Sequence, residues 1–477
     1  MADINLGVGG ANSAVAGGYD IDNSCKFEAN NTERMYRAWG SGGGNDQTWT
    51  VSLWVKRTEL GTLQHIWGAG VSGNDIVIVS FLTDDTLKFR STKNGANDCV
   101  YVTNRVFRDT SAWYHIVFAV DTTSGTAGDR LRIYINGVEE TSFSTETNFA
   151  QNDNTLHNAN SSYVEIATAI GEADRFCGYI AEVISISGSQ LEPTTFGEYD
   201  SDTAIWIPKR YTGSFPQNSF KLEFKDSSSL GTETSGNGQT FTLQNITSID
   251  QATDTPTNNF CIFNAVQNYT SSTVLSDGGT LWDNPAGQNW QSITGTFAVS
   301  SGKWYWEVRG ATYAFLGIAD VEDSIVPQRT DGYYVGHNDN GNSKSIGMYS
   351  INGQVYNAPG GSPDGTSYTS SSMIGFALDM DNRKMWISKD GTWISTIGDP
   401  TGTPSGGIAL TNLGDYVYPA VSVSASNGVI CAFGGIVSPH VSHHNMTNTD
   451  ANGYGAFKSS PPSGYYSLCT KNLAEYG

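Results

Sequence analysis

The sequence predicts an all-β protein with two β domains of related plan, on three observations. Of 477 residues, 54 are Gly and only 15% are charged, the composition of short strands joined by many turns. Ile374, Phe376, Leu378 and Met380 recur at a period of two, and a second strand from Met385 to Ile387 leads to the Asp390-Gly391 pair. That is a hairpin pattern with one face against a core and a turn that tolerates positive φ. The construction also appears twice. Ile116 to Asp121 (IVFAVD) aligns with Ile374 to Asp379 (IGFALD), and each is followed by a loop, an aromatic-containing strand (131–135 and 384–387) and an Asn-Gly or Asp-Gly turn. Aromatics at 12%, with 12 Trp and 23 Tyr, suffice to fill the two cores that a chain of this length can bury.

Residues 1–19 are small and glycine-rich and cannot form a core, so they are expected to be an assembly arm ordered by a neighbouring subunit. The first domain is expected over 20–225. Its strands are read at 48–56, with Trp49, Val51, Leu53 and Val55 on one face, then around Trp67, 76–81, 87–89, 113–121, 131–135, 163–169 and 176–186. One helical turn is expected within 191–196, and strands at 206–211 and 220–224 return to the domain edge. Residues 226–259 are mostly Ser, Thr, Asn, Gly and Gln and are expected to be a junction. The second domain is expected over 260–437. In its strand 303–308, Trp304 and Trp306 share one face and Tyr305 and Glu307 the other; strands at 314–318, 345–348, 418–423 and 429–433 accompany the central hairpin. Trp304, Trp306, Phe376 and Trp386 are assigned to the interior. Residues 438–477 are expected to be irregular, with an edge strand at 465–468 after Pro461-Pro462.

With 26 basic against 47 acidic residues the net charge is −21, which disfavours nucleic-acid binding. No apolar stretch approaches the roughly 20 residues of a membrane helix, so no membrane insertion is expected, and synthesis in the cytoplasm is. The six cysteines are dispersed, with no CxxC or Cys/His ligand set, and are expected to be reduced and packed.

Several stretches carry a family resemblance. Residues 50–57, 113–121, 131–137 and 176–183 resemble concanavalin A-like lectin/glucanase domains of the laminin-G-like kind. The second half is similar to a SPRY domain through 302–308 (GKWYWEV), 315–318 (FLGI), 374–379 (IGFALD), 389–391 (KDG) and 418–421 (YPAV) leading to Phe433-Gly434. The resemblance implies two tandem concanavalin A-like/SPRY jelly-roll sandwiches that bind glycan or protein. The tandem order, with residues 206–211, 254–260 and 462–473, also resembles structural proteins of tailed bacteriophages. That likeness implies a virion protein, most simply a tail-associated attachment or fibre component among other virion proteins, and a homo-oligomer with a trimer preferred. A capsid decoration or vertex protein is the nearest alternative; a glycan hydrolase and a secreted carbohydrate-binding adhesin are the others.

No enzymatic chemistry is expected. Glucanases sharing this sandwich need two carboxylates on one face, about 5 to 5.5 Å apart in retaining enzymes. The nearest approach is Glu172-Ala173-Asp174, where Phe176 interrupts the series, and Glu139 and Glu140 are adjacent and face opposite ways. No cofactor is expected. His440, His443 and His444 are weak metal candidates, and the oxygen-rich 338–342 stretch and Asp379 with Asp381 are weak candidates for structural calcium, with turn chemistry the competing reason for them. Ligand contact is expected at Tyr333, Tyr334, His337, Asp339 and Asn340, where aromatic rings sit beside hydrogen-bonding groups around a glycine-rich turn.

Overall fold

Both hairpins form where the alternation places them. In the computed structural model, which describes residues 18–39, 44–171, 173–267, 274–284, 290–322, 334–337, 344–359, 366–424, 427–436 and 446–477, strand Tyr114–Asp121 pairs with Leu131–Ile135, and Met373–Asp379 pairs with Lys384–Lys389. Asn136-Gly137 and Asp390-Gly391 both take positive φ at their two residues, as a tight twisted hairpin turn requires. The chain divides into one compact unit over Val15–Thr257 and another that holds Asn258–Gly477.

The first unit is two eight-stranded sheets face to face. One runs, in spatial order, Val138–Glu139, Leu131–Ile135, Tyr114–Asp121, Thr48–Arg57, Gly178–Ser187, Ser24–Phe27 and Gln251–Ala252, with Phe220–Leu222 added beside Gly178–Ser187. The other runs Phe143–Thr147, Ala96–Val106, Thr86–Lys93, Asp75–Phe81, Gln64–Ser72, Tyr163–Ile166, Arg34–Ala38 and Thr242–Gln244. Trp49, Leu53, Trp67, Val79, Phe89, Phe118 and Ile180 fill the space between them. The helical turn expected within 191–196 is the 3-10 turn Pro193–Thr195.

Residues 226–257, read in sequence as part of a junction, are built into this unit: Thr242–Gln244 and Gln251–Ala252 each add an edge strand. Their polar composition hid this because edge strands bury one side only. Beyond them, Asp254 is fully buried and accepts Lys56 Nζ at 2.6 Å and Trp113 Nε1 at 3.0 Å, while its backbone carbonyl accepts Ser24 Oγ at 2.6 Å. At the other end of the unit, residues 1–17 of the expected arm lie outside the described residues. Tyr19 docks on its own chain: its hydroxyl donates to Glu182 and accepts from Lys221 Nζ at 3.0 Å, and the Arg210 guanidinium lies 4.5 Å from its ring. Glu182 reaches this position from a bulge in strand Gly178–Ser187, at φ +38.

The second unit pairs a nine-stranded sheet, centred on Lys303–Arg309 between Met373–Asp379 and Asn427–Ala432, with a five-stranded sheet. The latter runs Gln291–Thr294, Val417–Val423, Ala314–Asp320, Ser345–Tyr349 and Val355–Tyr356. Trp304, Trp306, Phe376 and Trp386 are buried between them, with Trp306 and Phe376 stacked at 5.2 Å. The opposite face of the central strand is buried too, because residues 446–477 cover it. Tyr466–Ser467 pairs parallel to Trp304 and Tyr305, and Glu307 accepts the Lys458 and Ser459 amides at 2.7 and 2.8 Å. Within that cover Asp450 accepts Ser467 N, Asn472 Nδ2, Asn452 N and Tyr454 N at 2.8 to 3.0 Å. The segment is sparse in regular structure yet ends in Thr470–Tyr476, the one α-helix among the described residues and one the periodicity did not foretell. All six cysteines are buried and unbridged.

Two measurements test this framework. Removing one partner of a buried ion pair strands the other, so Asp254→Ala is expected to cost about 3–5 kcal/mol in denaturant unfolding of the first unit. Replacing Lys56 by Met in that background should restore part of the loss. The second concerns His115, held between the Trp54 and Trp206 rings, with Ser52 Oγ at 2.8 Å and the Trp206 indole donating to its Nδ1 at 2.9 Å. Burial pushes its pKa down to about 3. An imidazole protonated more easily unfolded than folded contributes stability that is complete above about pH 6.5 and lost as pH falls toward 3. His115→Gln is therefore expected to flatten the pH dependence of unfolding free energy by about 1.4 kcal/mol per pH unit between about pH 6 and pH 4.

Candidate functional site: an aromatic face on the second unit

Along strand Ala314–Asp320, Leu316 and Ile318 point into the core while Phe315, Gly317 and Ala319 point to the outer face of the five-stranded sheet. Cross-strand register sets Gly317 beside Gly347 and Phe315 beside Tyr349. A Cβ on Gly317 would lie 1.9 Å from the Ile346 carbonyl oxygen, and one on Gly347 would lie 2.4 Å from that of Val335. Gly317 thus leaves room for the backbone of the neighbouring strand at Ile346, while the bare Cα of Gly347 lets residues 334–337 cross the sheet. Val335 is buried on it and donates its N–H to Ser422 Oγ at 2.8 Å, and Gly336 donates to Ser345 Oγ at 2.9 Å.

Held this way, Tyr334 stacks on Phe315 with centroids 4.0 Å apart, and Tyr349 stacks on the same ring at 4.5 Å. Trp290 stands across them, 5.0 Å from Phe315 and 5.4 Å from Tyr334, while Tyr356 meets Phe315 edge-on at 5.2 Å. His337 closes on Tyr334 edge-on at 4.9 Å. Phe315 is 2% exposed, but Trp290, Tyr334, Tyr349 and Tyr356 are half-buried and neighbouring Tyr313 is exposed. Burial, then the neighbouring phenols, push the Tyr334 and Tyr349 hydroxyls above the ordinary tyrosine range, so both remain neutral donors at any physiological pH. The face offers flat apolar area edged by hydroxyls, which suits the C–H faces and hydroxyls of a sugar or the side chains of a protein.

Of the residues expected to contact ligand, Tyr334 and His337 come together here; Tyr333, Asp339 and Asn340 lie outside the described residues. Trp290, Phe315, Tyr349 and Tyr356 were missed as site residues. Each lies in or beside a short strand, and only the register across strands unites them. The metal candidates His440, His443 and His444 also lie outside the described residues, as does 338–342. Asp379 pairs with Lys303 at 3.2 Å and accepts the Asn382 amide, and Asp381 accepts the Gly302 amide, so both serve turns and strand ends. Among the described residues no group of three or more His, Cys, Asp or Glu is arranged to hold a metal. Of the carboxylates weighed for hydrolysis, Glu172 lies outside the described residues, Asp174 is exposed and Phe176 is buried. Glu139 is exposed whereas Glu140 is buried against Arg105 at 2.7 Å, so these two diverge.

Residues 32–192 match the concanavalin A-like lectin/glucanases superfamily, and residues 303–436 match the SPRY domain family, so the two domain types stand in tandem. No curated protein matches the chain in sequence. Among solved structures, the SPRY domain of human HERC1 is similar at 15% identity, covering 34% of this chain and 92% of that one with a TM-score of 0.24. A heptameric SAP-like pentraxin from Limulus polyphemus is similar at 16% identity, covering 36% and 79% with a TM-score of 0.27. A putative carbohydrate binding protein from Bacteroides ovatus is similar at 14% identity, covering 47% and 60% with a TM-score of 0.29.

The glycine floor makes the face testable apart from any ligand. Gly317→Ala is expected to cost about 1–3 kcal/mol through overpacking and to weaken the near-ultraviolet circular dichroism of the Phe315, Tyr334 and Trp290 group, with the far-ultraviolet β signal retained.

Proposed function

We propose that this chain is a non-enzymatic recognition protein of a tailed-phage virion, a tail-associated attachment or fibre component that holds a host-surface glycan or protein on the aromatic face of its second unit. The ring group around Phe315 carries the binding part of this reading. The core rings Trp304, Trp306 and Phe376 are drawn between the sheets of this unit. Here Trp290, Tyr334, Tyr349 and Tyr356 are gathered on an outer face and left half in water, already fixed by mutual stacking. A rigid, preformed aromatic surface loses little entropy on binding and can be sequence-tolerant or sugar-selective according to its hydroxyl edge. The match of residues 32–192 to a superfamily that includes lectins supports recognition as the common task of the chain. The virion part rests on the likeness of residues 206–211, 254–260 and 462–473 to phage structural proteins, with other virion proteins and copies of itself as the partners.

The test is a glycan array and a host-cell binding assay with purified protein. Trp290→Ala and Tyr349→Ala are each expected to weaken binding at least about tenfold, equivalent to about 1.4 kcal/mol, with unchanged unfolding of the Trp304 core. Binding unaltered by both replacements would remove the aromatic face from recognition. Release of soluble sugar from a bound glycan, lost on changing Asp174, would overturn the non-enzymatic assignment.

A further inference from the structure

The first and last strands of the first unit are neighbours. Ser24–Phe27 pairs antiparallel with Gln251–Ala252 through Ser24 opposite Ala252 and Cys25 opposite Gln251, and Asp250, the last residue of the 3-10 turn Ser248–Asp250, immediately precedes that strand. Lys26 Nζ lies 3.3 Å from Asp250 Oδ1, with the two side chains only 2% and 3% exposed. The other oxygen of Asp250 accepts the Thr247 amide at 2.8 Å, which polarises the carboxyl and fixes its plane. A third buried carboxyl, Glu33, 2% exposed, interacts electrostatically with both Asp250 and Lys26 and is anchored by the Glu28 amide at 2.8 Å and Asn31 Nδ2 at 3.1 Å. Burial first and Asp250 second raise the Glu33 pKa to about 8, so it is a neutral acid at neutral pH.

We propose that Lys26 and Asp250 condense into an intramolecular amide that joins the first and last strands of this unit, with Glu33 as the proton carrier. Proton transfer across the ion pair gives a neutral amine and a neutral acid. The Nζ lone pair attacks Cγ of Asp250, the Nζ–Cγ bond forms, and the Cγ–O bond breaks. Glu33 gives its proton to the departing hydroxyl and regains one from the nitrogen. One ammonium and one carboxylate thus become one amide and one water, with no change of oxidation state.

Two physical features favour the step. Lys26 Nζ is held 3.3 Å from Oδ1, the oxygen bonded to the carbon it would attack, and groups fixed so close in one site react as if at greatly raised concentration. Keeping two ions out of water is also unfavourable unless the pairing compensates, whereas an amide in the same place carries no charge. The Lys56–Asp254 pair, also buried and closer at 2.6 Å, is the internal comparison, since the inference names Lys26 and Asp250 alone.

The experiment is the intact mass and tryptic map of the purified, folded wild-type chain, then of Lys26→Arg and Glu33→Gln. The expected result is a wild-type mass one water below the sequence and a branched peptide joining Lys26 to Asp250. Lys26→Arg and Glu33→Gln should each restore the full mass. A wild-type chain at full sequence mass with free Lys26, a branch at Lys56 and Asp254 instead, or a Glu33→Gln chain that still loses the water would each overturn the inference. Because the decisive reading is on the wild-type protein, a variant that fails to fold does not blunt it.

Discussion

The first unit depends on one buried carboxylate. Asp254 comes from the stretch that follows the last strand, yet it receives the ammonium of the central strand through Lys56, the indole of Trp113 just before the hairpin and, through its own carbonyl, the hydroxyl of Ser24. Four segments far apart in sequence are fixed by one residue. Charges so placed are unfavourable unless every partner is present, so the site tolerates no partial assembly. The second unit solves the same problem with different groups: Glu307 of its central strand takes two amides from the covering segment, and Asp450 organises that segment from within. In both, the far end of the unit is held by buried acids rather than by apolar bulk, which suits tails composed mainly of small polar residues.

The aromatic face follows from an opposite economy, the removal of side chains. Gly317 and Gly347 lie side by side on the outer surface of the five-stranded sheet; the missing Cβ of Gly317 admits the backbone of the next strand, and that of Gly347 allows residues 334–337 to lie flat against the sheet. Once that backbone is down, Tyr334 meets Phe315 face to face and the remaining rings assemble around the pair. The position of the rings is set by the strands, and their orientation by the crossing segment.

Much of this architecture was legible in the sequence. Period-two alternation found the two hairpins, the Asn-Gly and Asp-Gly pairs marked turns at positive φ, and the spacing of Trp304, Trp306, Phe376 and Trp386 identified an interior. What escaped was non-local. Residues 226–257 look like a linker because their role is to complete edges and supply Asp254, tasks that need only a few apolar side chains. The burial of Glu307 was invisible because its partners are backbone amides about 150 residues onward. Tyr334 and His337 stood out as neighbours in sequence, whereas Trp290, Phe315, Tyr349 and Tyr356 become neighbours only through pairing registers, and a single sequence does not specify those.

The pairing of first and last strands also has a mechanical meaning. Chain entering the first unit and chain leaving it meet at the same spot, where Ile21 bonds to Thr257, Ser24 to Asp254, and Cys25 faces Gln251. A load pulling those two ends apart does not shear the strands past one another, which would strain all rungs at once. It opens them like a zip, one rung at a time, the geometry in which hydrogen bonds resist least. The fourth step of that opening is Lys26 against Asp250, so whatever joins that pair of side chains sets how far the sandwich opens under tension.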